Sequence, residues 1–394
     1  MGFNFPCMVE KETPNFSNER TEGIMRHVEI AVIGGGLSGL IAAFLLAKAG
    51  RGVLLIEKKS YPFHRVCGEY ISHEVTDFLV KEGLFPTALG PSNLTRFRLS
   101  SIHGKIAEMP LDLGGFGISR YGFDHFLYKK CEAVGVNFLL NTQVLDVYRP
   151  KDANFQLSLD LGETVSANIV LGAFGKRSKI DKALHRSFFA KRSPFIGVKY
   201  HVRTIHEPDM VALHNFEGGY CGVNQVEDGI FNVCYLGNRQ LLRKHGTISA
   251  METEVLFKNP HLKKIFGEAE FLWEKPEVIN EINFCTKKPV EHNILMLGDA
   301  AGMITPLCGN GMAIAIHTGK LAAEAVLEND SLATIQKAYA DSWHHYFQQR
   351  LYIGRMVQRL FGAAARSDFA VGLIRQSPFL ARQIMRRTHG EKIN

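Results

Sequence analysis

The sequence predicts an α/β protein in which a βαβ-based, Rossmann-like domain is interrupted by a second lobe built on a mixed β-sheet and followed by a helical, basic C-terminal region. Three observations predict this. Residues 27–57 read as strand, glycine turn, helix and strand. A strand–loop–helix pattern returns far downstream, at 294–326. The stretches between them are rich in residues that alternate with a period of two, the mark of half-buried strands.

The first segment, HVEIAVIGGGLSGLIAAFLLAKAGRGVLLIE, opens with the apolar run Val28 to Ile33. Gly34, Gly36 and Gly39 then occupy the G-x-G-x-x-G positions. Each has a physical role in a dinucleotide turn. Gly34 lets the chain leave the strand sharply, Gly36 lets a pyrophosphate approach the backbone, and Gly39 lets the helix lie close to the sheet. The helical spacing of Leu40, Ala43, Phe44 and Ala47 ends at Gly50. The free N–H groups at the start of that helix suit a diphosphate. A second strand, Val53 to Ile56, delivers Glu57 21 residues after Gly36. A carboxylate at that spacing accepts hydrogen bonds from an adenosine ribose and repels a 2′-phosphate, so the site prefers FAD or NAD to NADP.

Downstream, KKSYPFHRVCGEYIS reads as a loop leading to a helix near Glu74 to Glu82. Short strands are expected within 94–121. A helix follows over about Phe123 to Ala133, then strands at Val136 to Leu140, Val144 to Tyr148, Phe155 to Leu159 and Ile169 to Leu171. Residues 196–237 alternate like strands, 250–265 look helical, Ile294 to Leu297 is a buried strand, and the chain is mostly helical from Ser331. This order implies a flexible extension at 1–26, with Met25 as a second start candidate. It implies a discontinuous cofactor domain at 27–93, 122–190 and 286–330, a substrate domain at 94–121 and 191–285, and the C-terminal region at 331–394.

Composition excludes several classes. Hydrophobic residues make up 46% and charged residues 22%, ordinary values for a globular chain. No run of 18 apolar residues spans a membrane and no signal peptide is visible. The seven cysteines form no C-x-x-C pair, which argues against a metal cage or disulfide framework and fits a reducing cytoplasm. The net charge is +7, and nine Arg and Lys against two acids between Arg350 and Asn394 account for all of it. That is a local basic face rather than a nucleic-acid surface. It reads as a solvated helix face, or as a surface that meets acidic lipid headgroups and helps an apolar substrate enter.

The second anchor is GDAAGMITPLCGNG at 298–311. Gly298 and Asp299 close a strand, and Pro306, Gly309 and Gly311 lead into a long helix. Together with the N-terminal turn, this pattern resembles the FAD-dependent oxidoreductases that group geranylgeranyl reductases with p-hydroxybenzoate-hydroxylase-type monooxygenases. Their cofactor domain is of the glutathione-reductase type. The resemblance implies that Asp299 bonds the ribityl chain of FAD. It also implies that Gly309 to Met312 present N–H groups to the flavin edge where reduction leaves negative charge.

The same resemblance places Arg65, Cys67 and Gly68, in HRVCGEYIS, on a loop that passes the flavin. Arg65 would touch the cofactor, and Cys67 would lie near the ring or be a small buried apolar residue. His64 is either a proton donor or a solvent-facing side chain. Arg120 would bind the pyrophosphate side, or else pair with Asp124 on the surface. Leu37, Ser38, Lys58, Val144, Gly175 and Gly298 complete the implied cofactor contacts.

Two departures matter. Phe174 stands in GAFGKRS where the family carries Asp, which puts direct reduction by NADPH in doubt and leaves the donor open between NAD(P)H and a protein. GYCGVNQ at 219–225 lacks the bulky aromatic stretch of the prenyl reductases and the tryptophans of flavin halogenases. Tyr220, Cys221 and Asn224 there line a substrate pocket or simply build a strand. Cys67, Tyr220 and Asn224 are the catalytic candidates. The expected activity is hydride transfer between flavin N5 and an apolar, isoprenoid or polyketide-type substrate. The alternatives are hydroxylation of an aromatic ring through a C4a-hydroperoxide and flavin binding without catalysis.

Overall fold

A nine-residue strand, β1 (Met25–Ile33), lies at the centre of the first sheet and is buried along Ile30 to Ile33. In the computed structural model, residues 25–151, 153–160, 162–191, 193–282, 284–303, 309–358, 364–376, 383 and 390–394 are described. On one side β1 pairs in parallel with β2 (Val53–Ile56), which pairs with β6 (Asn137–Leu139). On the other it pairs with β9 (Thr164–Gly172), which pairs with β17 (Ile294–Met296). These strands are buried apolar runs, Ile30 to Ile33, Val53 to Ile56 and Ile169 to Leu171, enclosed on both faces. A short edge strand, β16 (Val290–Glu291), and an antiparallel meander of β7 (Val144–Tyr148) and β8 (Phe155–Leu159) complete the sheet.

The second sheet runs β14 (Glu270–Phe271), β10 (Phe195–Arg203), β13 (Phe231–Asn238), β12 (Gly219–Gln225), β11 (Met210–Phe216), β4 (Ser92–Ser100), β5 (Ile106–Gly117) and β3 (Tyr70–Ser72). β15 (Glu277–Ile282) also pairs with β10. All neighbours are antiparallel except β11 and β4. The chain thus leaves the first sheet twice to build the second.

Helix α1 (Leu37–Lys48) starts at Gly36 without a side-chain cap, which leaves its first N–H groups facing outward. It is apolar all round because it is enclosed by the sheet, α3 (Arg120–Ala133) and α8 (Gly311–Leu327). Gly39 and Gly319 permit that closeness. A Cβ on Gly39 would sit 2.1 Å from the Gly34 carbonyl oxygen, and one on Gly319 would sit 2.6 Å from that of Ser38. The short helices α2 (Thr76–Lys81) and α4 (Lys179–Ala183) flank the same domain. Helix α9 (Leu332–Gln358) covers the end of the first sheet, where the Tyr339 hydroxyl donates to the Met296 carbonyl at 2.6 Å.

Helices α5 (Arg239–His245), α6 (Ile248–Glu254) and α7 (Pro260–Glu268) back the second sheet. The single helix expected over 250–265 is two. Pro260 forces extended backbone on Asn259, whose side chain then caps α7 through the N–H groups of His261 and Leu262. Three boundaries also shift. β1 begins at Met25, inside the expected extension, whose residues 1–24 lie outside the described set. β3, placed by sequence in the cofactor domain, joins the second sheet through β5. The helix expected near 74–82 is a tight turn at 73–75 followed by α2.

The last helix, α10 (Ala364–Gln376), packs on β5. Its Ser367 hydroxyl accepts the Ile102 N–H at 3.1 Å, and Val371 is buried among Leu99, Leu213 and Ile282. Among the described residues no helix is long and apolar enough to cross a membrane.

Candidate active site

A cavity of about 1010 Å3 opens where the two sheets meet. Gly34 and Gly36 form one part of its wall and Gly309 and Gly311 another. The first turn is held rigidly. The Glu57 carboxylate accepts the Gly35 N–H at 2.8 Å, and the Gly35 carbonyl accepts the Tyr61 hydroxyl at 2.7 Å and the Arg65 guanidinium at 3.2 Å. Gly34 has φ +104°, a conformation side chains avoid. Gly36 is different, because a Cβ there would meet only the Arg120 guanidinium, at 3.6 Å. The open space in front of Gly36 is where a phosphate can reach the backbone of α1.

Both proposed partners of Arg120 are consistent with its position. It faces Gly36 and also makes a two-pronged ion pair with buried Asp124, at 2.7 Å for each contact. Burial opposes its charge, but Asp124, and secondarily Cys67, hold the guanidinium firmly protonated. Arg65 shares Asp124 at 3.1 Å and reaches Glu57 at 3.3 Å. Two guanidiniums against two carboxylates are neutral as a set, so attraction for an anion at this end rests on the N–H groups at the start of α1 and on how the guanidiniums are aimed.

The second loop reaches the cavity through Asp299, Gly309, Gly311 and Met312. Lys287 ties it to the loop at 175–178. Its ammonium donates to the carbonyls of Asp299 at 2.7 Å and Lys176 at 2.9 Å, and burial pulls it down to about 8. Asn310, at the start of α8, donates to the Glu74 carboxylate at 3.0 Å, which also binds Arg350 at 3.1 Å and the N–H of Gly390.

Beyond the loop at 64–69 the cavity continues as an apolar chamber. Phe97, Leu99, Met109, Leu111, Val211, Leu213, Leu236, Ile279 and Ile282 line it from the second sheet, joined by Ile374 of α10 and by Met303 of the second loop. Cys67, Tyr220 and Asn224 all line the cavity. Asn224 directs its amide N–H groups to the carbonyls of Glu69 and Gln225, both at 3.3 Å, so it also braces the loop. Burial and the Lys199 ammonium push His64 down to about 4, so its imidazole is neutral between the rings of Tyr121 and Trp273.

Leu37, Ser38, Glu57, Lys58, Arg65, Cys67, Gly68, Arg120, Val144 and Gly175 share this cavity wall. Gly39 and Gly298 do not. Gly39 lies beneath the Gly34 carbonyl, and the Gly298 N–H donates to Thr318 at 2.9 Å, so both act by packing. Pro306 lies outside the described residues. Sequence reasoning missed Tyr61, Lys287 and a buried group around Glu69. The Glu69 carboxylate accepts the Lys199 ammonium at 2.5 Å, His201 at 2.6 Å and the Arg120 N–H at 2.7 Å. The signal for it was present: Lys199 and His201 alternate with Val198, Tyr200 and Val202, putting polar side chains on one face of an otherwise apolar stretch. Burial raises Glu69, but Lys199 and His201 outweigh it and bring the carboxyl to about 2.

A family profile described as FAD binding domain matches residues 27–328. The chain is 25% identical over 367 residues to digeranylgeranylglycerophospholipid reductase 2 of Methanopyrus kandleri, covering 86% of this chain and 88% of that one. It is similar in structure to the flavin-dependent brominase Bmp2, at a TM-score of 0.74 and 19% identity over 92% of this chain and 93% of that one. It is also similar to a geranylgeranyl bacteriochlorophyll reductase-like protein of Thermoplasma acidophilum, at a TM-score of 0.71 and 21% identity, with 90% and 92% covered. The residues present fit FAD. An uncapped helix start, an open Gly36 and a paired Arg120 stand at one end, and a second helix start with Asp299 stands at the other.

Two outcomes follow from this geometry. Gly36→Val is expected to weaken FAD binding by about tenfold to a hundredfold while sparing the fold, since its φ of −88° and ψ of −178° suit a branched side chain. Gly39→Ala is expected instead to cost roughly 1–3 kcal/mol of stability, because the clash is with backbone. FAD titration and denaturant unfolding of both variants check the pair. Because the folded pKa of Glu69 is depressed, its contribution is present above about 4.5 and is lost as the pH falls towards about 2. The stability gap between the parent apoprotein and Glu69→Gln is expected to be roughly 3 kcal/mol near neutrality and to shrink across that window in unfolding curves.

Proposed function

The chain belongs to the FAD binding domain family, and from that premise we propose that this FAD-dependent oxidoreductase reduces a long apolar, isoprenoid-type substrate by hydride transfer. The observation that carries this reading is the continuity of the cavity. The cavity lined by the glycine turns continues past the loop at 64–69 into a chamber walled mainly by aliphatic, methionine and phenylalanine side chains. Such a wall favours a hydrocarbon chain by burial, at about 25 cal/mol per Å2 of apolar surface removed from water. The relative from Methanopyrus kandleri is named for the reduction of an isoprenoid lipid, which supports the same substrate class.

Bound FAD supplies the hydride chemistry. The chain's own residues do the rest. The starts of α1 and α8 bring two sets of backbone N–H groups to the cavity and favour negative charge at both ends. Cys67 and Tyr220 are among the groups at the wall that carry a proton, and neutral His64 lines the same cavity. The aliphatic wall excludes water from the reacting end.

We further propose that substrate arrives from an acidic lipid surface against α10. Val371 of that helix faces the protein and Ile374 lines the chamber, whereas Phe369 is 71% exposed and Leu373 41% exposed on the outer side. Arg375 is exposed beside them.

Chemically reduced holoprotein mixed anaerobically with a polyprenyl lipid is expected to reoxidise, with loss of a substrate double bond seen by mass spectrometry. Reoxidation that requires oxygen and inserts an oxygen atom into an aromatic compound would instead establish a monooxygenase. With substrate in anionic vesicles, Phe369→Ser/Leu373→Ser is expected to slow turnover severalfold and leave a short soluble analogue unaffected. Equal rates on vesicles would remove the lipid-surface route.

A further inference from the structure

Glu69 stands at the joint between the two sheets. It lies between β2 and β3 in the chain, lines the cavity, and is fully buried. Its φ of +52° is left-handed backbone, which a glutamate adopts only where its surroundings hold it there. What surrounds it comes mostly from the second sheet. Lys199 and His201 of β10 bind the carboxylate, and Lys199 also donates to the Arg65 carbonyl at 3.3 Å. Asn224 of β12 holds the Glu69 carbonyl, and Asn232 of β13 holds the carbonyls of Cys67 at 3.3 Å and Gly68 at 2.9 Å. One face of three neighbouring strands therefore grips the backbone of residues 65–69.

On its other side Glu69 reaches the cofactor end. Its carboxylate accepts the N–H of Arg120, the first residue of α3, and its carbonyl accepts the N–H of Ile118 at 3.2 Å. Arg120 is the residue whose guanidinium faces Gly36. A buried lysine–glutamate pair is a costly way to fill a core, since apolar residues of like volume do as well or better for stability. Its occurrence at this joint calls for a role in placement.

We propose that Glu69, with Lys199 and His201, is a positioning centre that sets Arg120 and the loop at 65–68 against the second sheet, so that cofactor affinity depends on residues of β10 that line no part of the cavity. The proposal is independent of the reaction class, because it concerns FAD binding by apoprotein with no substrate present. Lys199 and His201 lie outside the cavity wall, so a change there reaches the cofactor indirectly, through Glu69 and its loop and through neighbouring His64, and not by contact with it.

The test is an FAD titration of Lys199→Met apoprotein, read by quenching of flavin fluorescence and by the visible circular dichroism of the bound flavin. Affinity is expected to fall by at least about tenfold and the dichroic band to change shape. Asn259→Ala controls for lost stability. That amide holds Ser100, Ser101 and Asn215 within the second lobe at 2.9, 3.0 and 2.9 Å and lines no part of the cavity. It is expected to lower the melting temperature yet leave affinity within about twofold. Should Lys199→Met fail to fold, His201→Leu is read in its place against the same threshold. Affinity within about twofold of the parent in the folded variant, or an equal loss in Asn259→Ala, would overturn the proposal.

Discussion

The convergence of two helix starts is the constraint on which the molecule depends. Helices α1 and α8 come from segments more than two hundred residues apart, yet Gly36 and Gly311 open onto one cavity. They can do so only because the helices cross at near-backbone contact. Gly319 lies against the Ser38 carbonyl and Gly39 beneath that of Gly34. A larger side chain at Gly319 would push α8 from α1, and one at Gly39 would push α1 from the Gly34 turn and the sheet. The parallel order β17, β9, β1, β2 fixes which ends of the strands lie beside them.

Charge at the site follows from that geometry. Helix starts attract anions but cannot by themselves orient a side chain. Orientation comes from carboxylates: Glu57 on the Gly35 N–H, Asp124 between two arginines, and Glu69 between Lys199, His201 and the start of α3. Each carboxylate is buried and each has a charged partner. The arrangement keeps guanidiniums and backbone donors in place before any ligand arrives, and so lowers the ordering cost of binding.

What could be read from residues alone was what is local in the chain. The strand–turn–helix at 28–48, Glu57 at its spacing and the strand before Asp299 follow from period, glycine position and distance along the sequence. Arg120 was reached through the family resemblance and not from its own segment, whose helix was expected to begin near Phe123. The apolar chamber was not visible, because its wall is assembled from alternate residues of strands that are distant in sequence, such as Phe97, Met109, Leu213 and Ile279. Each looks like an ordinary core residue in its own strand. Lys287 gave no signal in its irregular segment. Lys199 and His201 did, as polar residues out of phase with an apolar strand, although their partner Glu69 lies 130 residues earlier.

The chamber is floored by side chains of one continuous sheet, whereas the cavity beside the first sheet is walled by glycine turns and a few charged residues. The apolar wall can therefore change shape by exchanges at positions distinct from the glycine turns. Exchanges among the aliphatic positions redraw the shape a guest must have, at residues separate from Gly34, Gly36, Gly309 and Gly311. A scaffold divided in this way can take up new molecules across generations without having to reinvent its chemistry.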